Sequence, residues 1–199
     1  MTAKEQFLSQ RKRYQPISLP KEFSDEEMVR DWTLKDDDRK EVNRYRKNSR
    51  LFVAIQLCSV RLYGRFLTQV HELSPRIITY LNTQLQLAPT LTVTVPEREA
   101  TYLEQRKNTL TYLGFRKFDE DIQDQLSVWL SEQAKQGSLP EQLFSRAEQY
   151  LLSNHVLLPG RTVLERLIIH ITAQAHTDIF ASIYDHLSPE LRQAIDKLL

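Results

Sequence analysis

Twenty residues, Asn48 to Leu67 (NSRLFVAIQLCSVRLYGRFL), constrain this chain more than any other stretch. Leu51, Ala54, Ile55, Cys58, Leu62 and Phe66 recur at the three-and-four spacing of a helix stripe. Phe52, Val53, Leu57, Val60 and Tyr63 spread that stripe over most of the circumference. A helix so apolar, short for a bilayer and carrying arginine, predicts the buried central helix of a soluble domain. Asn48 or Ser49 is expected to cap its start, and Gly64 to end it. Immediately upstream lies the densest basic run of the chain: Arg39, Lys40, Arg44, Arg46, Lys47 and Arg50 against Glu41 alone.

The remaining punctuation predicts more helices. Ser24 with Glu27 forms a capping box for a helix to about Trp32. Thr33 with Asp36 repeats the signal for a helix over 34–45. Ser74-Pro75 starts another, with Ile77, Ile78, Leu81 and Leu85 as its apolar face. Thr101 to Leu113 reads as a helix closed by Gly114. Asp119 caps a helix whose face is Ile122, Leu126, Trp129 and Leu130, and Gly137 closes it. Pro140 opens the next. Thr162 and Glu165 predict a capping box for a long helix from Val163 to His186, and Ser188-Pro189 opens a last one. The chain stops within or just after that helix, as the front piece of something longer does. Only Ala88 to Val95 (APTLTVTV) alternates like a strand, between Pro89 and Pro96. The expected fold is all-α: two small helix-turn-helix-like domains, 1–90 and 91–199, with at most a short extended or β segment near 91–95. Residues 1–22, with RKR before Pro16 and Pro20, read as a basic N-terminal arm.

Composition excludes several classes. Among 199 residues 41% are hydrophobic and 27% charged, as in a soluble globular protein. One cysteine, Cys58, gives no internal disulfide and suits a reducing cytoplasm. No secretory signal or membrane-spanning run is evident. The histidines, His71, His155, His170, His176 and His186, have no metal-ligand spacing. Four scattered glycines make no phosphate-cradling loop. No nucleophile elbow or paired carboxylate site is present, so no catalysis and no cofactor are expected in this stretch. The net charge is only +1, but it is segregated: eight acids and three bases over 20–38, then six bases and one acid over 39–50. Asp36-Asp37-Asp38 reads as a solvated run at a helix start. Arg61 and Arg65 share a helix face, and pairing with those acids is expected for Arg61.

Five motifs appear in order: DWTL at 31–34, RLFVAIQLCSVRLYGRFL at 50–67, YLNTQLQL at 80–87, LGFRKF at 113–118 and LLPGRTVLERL at 157–167. Together they resemble the N-terminal region of the Tn-three family of transposases, which move class II transposons replicatively through a cointegrate. The similarity runs from about Phe23 to Leu199. Arg98, Thr101 and Glu104 match the family pattern, whereas Gln105 stands where His is common and Tyr63 where Leu is more usual. The resemblance implies recognition of a transposon's terminal inverted repeats as double-stranded DNA. It also implies that the acidic catalytic residues lie downstream, in an RNase-H-like domain. Those downstream transposase domains, and a second copy in the full-length protein, are the other partners it implies, with no membrane involved and a cytoplasmic, nucleoid-associated location.

On this reading the first domain offers Arg39, Lys40, Arg44, Arg46, Lys47 and Arg50 to phosphates. The second offers Arg98, Arg106, Lys107, Arg116, Lys117 and Arg161. Asn43, Asn48, Gln105 and Asn108 are the candidates for reading bases. The alternative is a helical protein-interaction or dimerisation module, for which the long apolar helix over 163–186 speaks.

Overall fold

A computed structural model describes residues 23–196. The basic arm expected over 1–22 lies outside them. Among the described residues the protein is all-α. Its helices are α1 (Asp25–Trp32), α2 (Asp36–Asn43), α3 (Lys47–Tyr63), α4 (Pro75–Gln84), α5 (Glu99–Leu113), α6 (Glu120–Lys135), α7 (Pro140–Ser153), α8 (Arg161–His186) and α9 (Pro189–Asp196), with one 3-10 turn at Val70–Glu72.

The chain divides into two compact units. One comprises 23–117 and 152–158 of the described residues, the other 118–151 and 159–196. The division falls after α5, not near residue 90. Helix α5 belongs with α3, against which it packs, and Phe52 meets Tyr102 with ring centroids 6.0 Å apart. The alternating segment 88–95 is therefore internal to the first unit. It forms no strand. Val93 is buried and Leu91 and Val95 are half-buried against the core, so the period-two pattern is met by docking on helices. Asn82 Nδ2 donates to the Leu91 carbonyl (3.0 Å) and holds the segment there.

Helix α3 is the centre of the first unit. All ten residues from Leu51 to Val60 are buried, with α1, α2, α4 and α5 packed around them. Two polar residues inside this run have defined partners. The Gln56 amide exchanges a pair of hydrogen bonds with the Leu67 backbone (2.8 and 2.9 Å), and Ser59 Oγ donates to the Arg65 carbonyl (2.7 Å). The chain leaving α3 is thus folded back along it. Gln84 does the same for the α1–α2 link, accepting from Leu34 N (2.7 Å) and donating to the Trp32 carbonyl (3.1 Å).

The helix starts follow local chemistry, with three corrections. Ser24 and Glu27 form the expected capping box (3.2 and 2.9 Å), and Asp119 accepts from Ile122 N (3.0 Å). Helix α2 begins later than expected, because the Thr33 hydroxyl bonds the Tyr80 hydroxyl (2.7 Å) and the Asp38 carboxylate takes the Lys35 N–H (2.8 Å). Helix α3 begins at Lys47, after Arg46, which supplies no side-chain cap, so neither Asn48 nor Ser49 is the cap. Helix α8 begins at Arg161 after Gly160, and Glu165 pairs with Arg161 Nε (2.8 Å) where a box with Thr162 was expected.

Residues 152–158 return to the first unit. Arg116 N donates to the His155 carbonyl and Leu157 N to the Arg116 carbonyl (2.8 Å each), forming an isolated parallel bridge. Leu158 N donates to the Gly64 carbonyl (2.8 Å). Two motifs far apart in sequence, LGFRKF and LLPGR, meet here.

In the second unit α6 packs on α8. Leu126, Leu130 and Ala134 are buried, as are Leu164, Ile168, Ile171 and Ala175. Trp129 and Tyr150, with centroids 4.9 Å apart, join α6 to α7.

Gly64 and Gly114 both end helices with left-handed backbone, φ +60° and +70°. A Cβ on Gly64 meets Leu152 Cδ2 at 2.3 Å, while one on Gly114 meets nothing within 4 Å. Gly114→Ala is expected to cost only the backbone strain, about 1–2 kcal/mol. Gly64→Ala is expected to cost more, because it also pushes the returning segment off α3. Urea denaturation of the two variants against the parent checks the order.

Candidate nucleic-acid interface

The expected basic run is split by its surroundings. On α2, each cation pairs with an acid three residues earlier: Arg39 with Asp36, Lys40 with Asp37 (2.9 Å), and Arg44, just past the helix end, with Glu41 (2.9 Å). Hydrogen bonds to these carboxylates raise the pKa of Lys40 and Arg44. Arg39 also donates to the Leu34 carbonyl (3.1 Å). Such exposed pairs are screened by water and hold weakly, so a phosphate can displace them, but the acids reduce the local potential.

The three-residue turn after α2 and the first turn of α3 differ. Over 44–50 (RYRKNSR) there are four cations and no acid, and only the first, Arg44, is paired with an acid from outside the stretch, Glu41. Arg50 is tethered to the Tyr45 and Asn43 carbonyls (3.0 Å each), which leaves its charge uncompensated. Arg46 and Lys47 are exposed and have no acidic partner among the described residues. Asn48 is exposed beside them. The first turn has no side-chain cap, although Ser49 N donates to the Arg46 carbonyl (2.8 Å), and the helix dipole adds positive potential. This is the most exposed part of α3, Leu51 to Val60 being buried and Arg61 to Tyr63 half-buried. The body of the helix is enclosed, so it cannot lie in a groove of DNA as the second helix of a helix-turn-helix does.

Helix α5 places its candidates unequally. Lys107 is exposed, and Arg98 is exposed just before the helix. Arg106 is half-buried, its guanidinium 4.2 Å from the Phe66 ring centroid and 5.3 Å from that of Tyr102, whose hydroxyl it also bonds (2.9 Å). Arg106 is thus a packing element. Gln105 is 5% exposed with its Oε1 unpartnered, and so does not reach solvent to read a base. It sits on the inward face with Thr109 and Leu110. Asn108 is half-buried, bonded to Tyr45, and lines a groove of about 420 Å³ with Glu41, Arg44, Thr111 and Tyr112. Arg116 and Lys117 are exposed where the chain leaves the first unit. Every candidate cation but Arg161 therefore belongs to the first unit. Arg161, in the second, stacks on Phe144 at 4.8 Å and pairs with Glu165.

Asp38 was missed as a structural residue. It is 1% exposed, unlike its exposed neighbours Asp36 and Asp37, and it ties three helices together. Arg61 on α3 donates to it at 2.5 Å and Tyr112 on α5 at 2.8 Å, besides the Lys35 N–H. Arg61 thus pairs with the acidic run, as expected. Burial alone pushes the Asp38 carboxyl up, but the bonds from Arg61, Lys35 N and Tyr112 outweigh it and hold the pKa below its usual value. Burial and the bond to Asp38 push the Tyr112 hydroxyl up to about 12. Burial likewise pushes the Cys58 thiol up to about 12. No group of three or more His, Cys, Asp or Glu suited to a metal occurs among the described residues, and none of the described helices is long and apolar enough to cross a membrane.

A family profile described as "Domain of unknown function (DUF4158)" matches residues 7–171. The chain is 32% identical over 164 residues to the transposase for transposon gamma-delta of Escherichia coli (strain K12), covering 78% of this chain and 16% of that protein. It is 28% identical over 184 residues to the transposase for transposon Tn501 of Pseudomonas aeruginosa, covering 92% of this chain and 18% of the relative. It is also 28% identical over 193 residues to the transposase for transposon Tn3926 of Escherichia coli, covering 96% and 19%. These relatives define the class, a helical region shared with Tn-three family transposases. The chain belongs to the DUF4158 family. It spans less than a fifth of the length of the relatives it matches.

Asp38→Asn leaves Arg61 with half its partner and is expected to destabilise the first unit by about 3 kcal/mol, the low end for breaking a buried pair because Arg61 is partly exposed. The Asp38 pKa is depressed in the fold, so its contribution is full above the unfolded value near 4 and disappears as pH falls through the folded value. Urea titrations from pH 6 downward are expected to show a declining midpoint in the parent and a flatter profile in the variant.

Proposed function

We propose that this chain is the duplex-binding front of a replicative transposase and holds the terminal inverted repeats of its transposon. Cleavage and strand transfer belong to sequence beyond these residues. The observation that carries the reading is the turn at 44–50, where Arg46, Lys47 and Arg50 have no acidic partner among the described residues and the helix start has no side-chain cap. The kinship with transposases supplies the context in which such a turn meets DNA.

Arg46, Lys47 and the first N–H groups of α3 suit a phosphate, a contact that gives affinity and position but no sequence information. Arg44 can leave Glu41 at little cost and join them. Lys107, Arg98, Arg116 and Lys117 extend the same unit's cationic set. Arg39 and Lys40, held by Asp36 and Asp37, are weaker contributors. Sequence preference falls to neutral side chains near the cations, of which Asn48 is the exposed one and Asn108 the half-buried one.

Binding to a terminal repeat and to a random duplex, followed by fluorescence anisotropy across a salt series, tests this. The parent is expected to prefer the repeat and to weaken steeply with salt. Arg46→Ala and Lys47→Ala are each expected to weaken both duplexes alike and to lower the salt slope by about one. Asn48→Ala is expected to erode the preference for the repeat by about tenfold, within the 1–3 kcal/mol of a base contact. Binding that ignores salt, or the loss of both cations without effect, sinks the reading.

A further inference from the structure

The described residues of the second unit carry the wrong charge for DNA. Residues 118–151 and 159–196 contain five lysines and arginines against twelve aspartates and glutamates, a net of about −7. The first unit's described residues carry sixteen against twelve. Four of the five cations among the second unit's described residues are also engaged within it. Lys135 pairs with Asp178 (3.2 Å), Arg146 bonds Gln133 and Ser138 (2.6 and 3.0 Å), and Arg161 holds Glu165. Arg192 donates to the Leu187 and Asp185 carbonyls.

The same unit has a helix whose pattern reverses part-way. In α8 the inward register is Leu164, Ile168, Ile171 and Ala175, all buried. Continued onward, that register reaches Asp178, Ser182 and Asp185, which are polar. The apolar residues of the second half emerge on another side: Phe180 is 70% exposed and Ile183 is 52% exposed, with half-buried Ile179 beside them. Leu191 on α9 is 54% exposed. Phe180 and Ile183 are three apart and so share a face. Water is a poor permanent neighbour for such a face. Asp185 and Glu190, on and just after this stretch, are exposed and have no cationic partner among the described residues.

We infer that the second half of α8 is a docking face for a protein segment that is basic and carries apolar side chains, and that the second unit is not a second duplex-binding module. The apolar side chains supply contact, and the unit's negative field selects a cationic partner and rejects a polyanion. A basic amphipathic helix laid along the face meets both requirements. The inference is independent of the reading at 44–50, which concerns the other unit.

The test uses the full chain and a labelled synthetic helix of leucine and lysine. Its controls are the same peptide with glutamate for lysine and one with serine for leucine. Micromolar binding of the leucine–lysine peptide is expected, with at least a tenfold loss for either control. Phe180→Ser with Ile183→Ser is expected to weaken binding at least tenfold. Both side chains are exposed, so the thermal midpoint and the affinity for duplex DNA are expected to stay at parental values. Hydrogen exchange is expected to slow over 176–187 when the peptide is added. The inference is overturned if the peptide does not bind, binds the double variant equally, or binds as well with serine as with leucine. It is overturned too if duplex DNA protects 176–187, or if the chain dimerises through Phe180 and Ile183, which makes a second copy the occupant. Loss of DNA binding by Arg46→Ala and Lys47→Ala leaves this result untouched, so the two readings fail separately.

Discussion

A helix enclosed on every side imposes a demand that an amphipathic one does not: the rest of the chain must supply a neighbour for each face. Helix α3 makes that demand over ten consecutive residues. Helices α1, α2, α4 and α5 meet it. The cost of enclosing polar atoms is met by side-chain amides placed where the backbone turns. Gln56 holds the exit of α3, Gln84 the α1–α2 link and Asn82 the extended segment. Apolar packing chooses the arrangement, and these amides determine how the connections lie on it.

Charge is used in two ways in the first unit. In the Asp38–Arg61–Tyr112 cluster a buried carboxylate is answered by two half-buried donors, and losing a donor leaves that charge short of a partner. The pairs on α2 lie in water and can exchange partners. The same acidic triplet thus contributes a brace through its third member and adjustable counter-charges through its first two. Within the basic run this leaves Arg46, Lys47 and Arg50 without an acidic partner among the described residues.

Local rules were written plainly in the sequence. Ser24 with Glu27, Asp119, Pro75, Pro140, Gly64 and Gly114 each mark a helix end that the structure has. Where a competing partner existed, the local rule lost: Thr33 bonds Tyr80, and Glu165 bonds Arg161. The contacts that define the units were not legible, because the return of 152–158 to Arg116 and Gly64 joins segments with no shared periodicity. For the candidate interface, the basic run was visible, and so was the three-residue spacing to Asp36, Asp37 and Glu41 that pairs half of it. The burial of Gln105 and the stacking of Arg106 were hidden. Both depend on which side of α5 faces α3, and that helix is apolar on no clean stripe.

The return of 152–158 also governs how this region can be rearranged. Among the described residues the polypeptide crosses between the two units at three places, near residues 117, 151 and 158, so neither is a bead on a string. A single cut or a single crossover cannot deliver either one whole. Ending the gene after Lys117 strips Gly64 and Arg116 of their backbone partners, and starting it at α6 carries seven residues whose hosts are gone. A fragment meant to keep either unit whole therefore has to carry both.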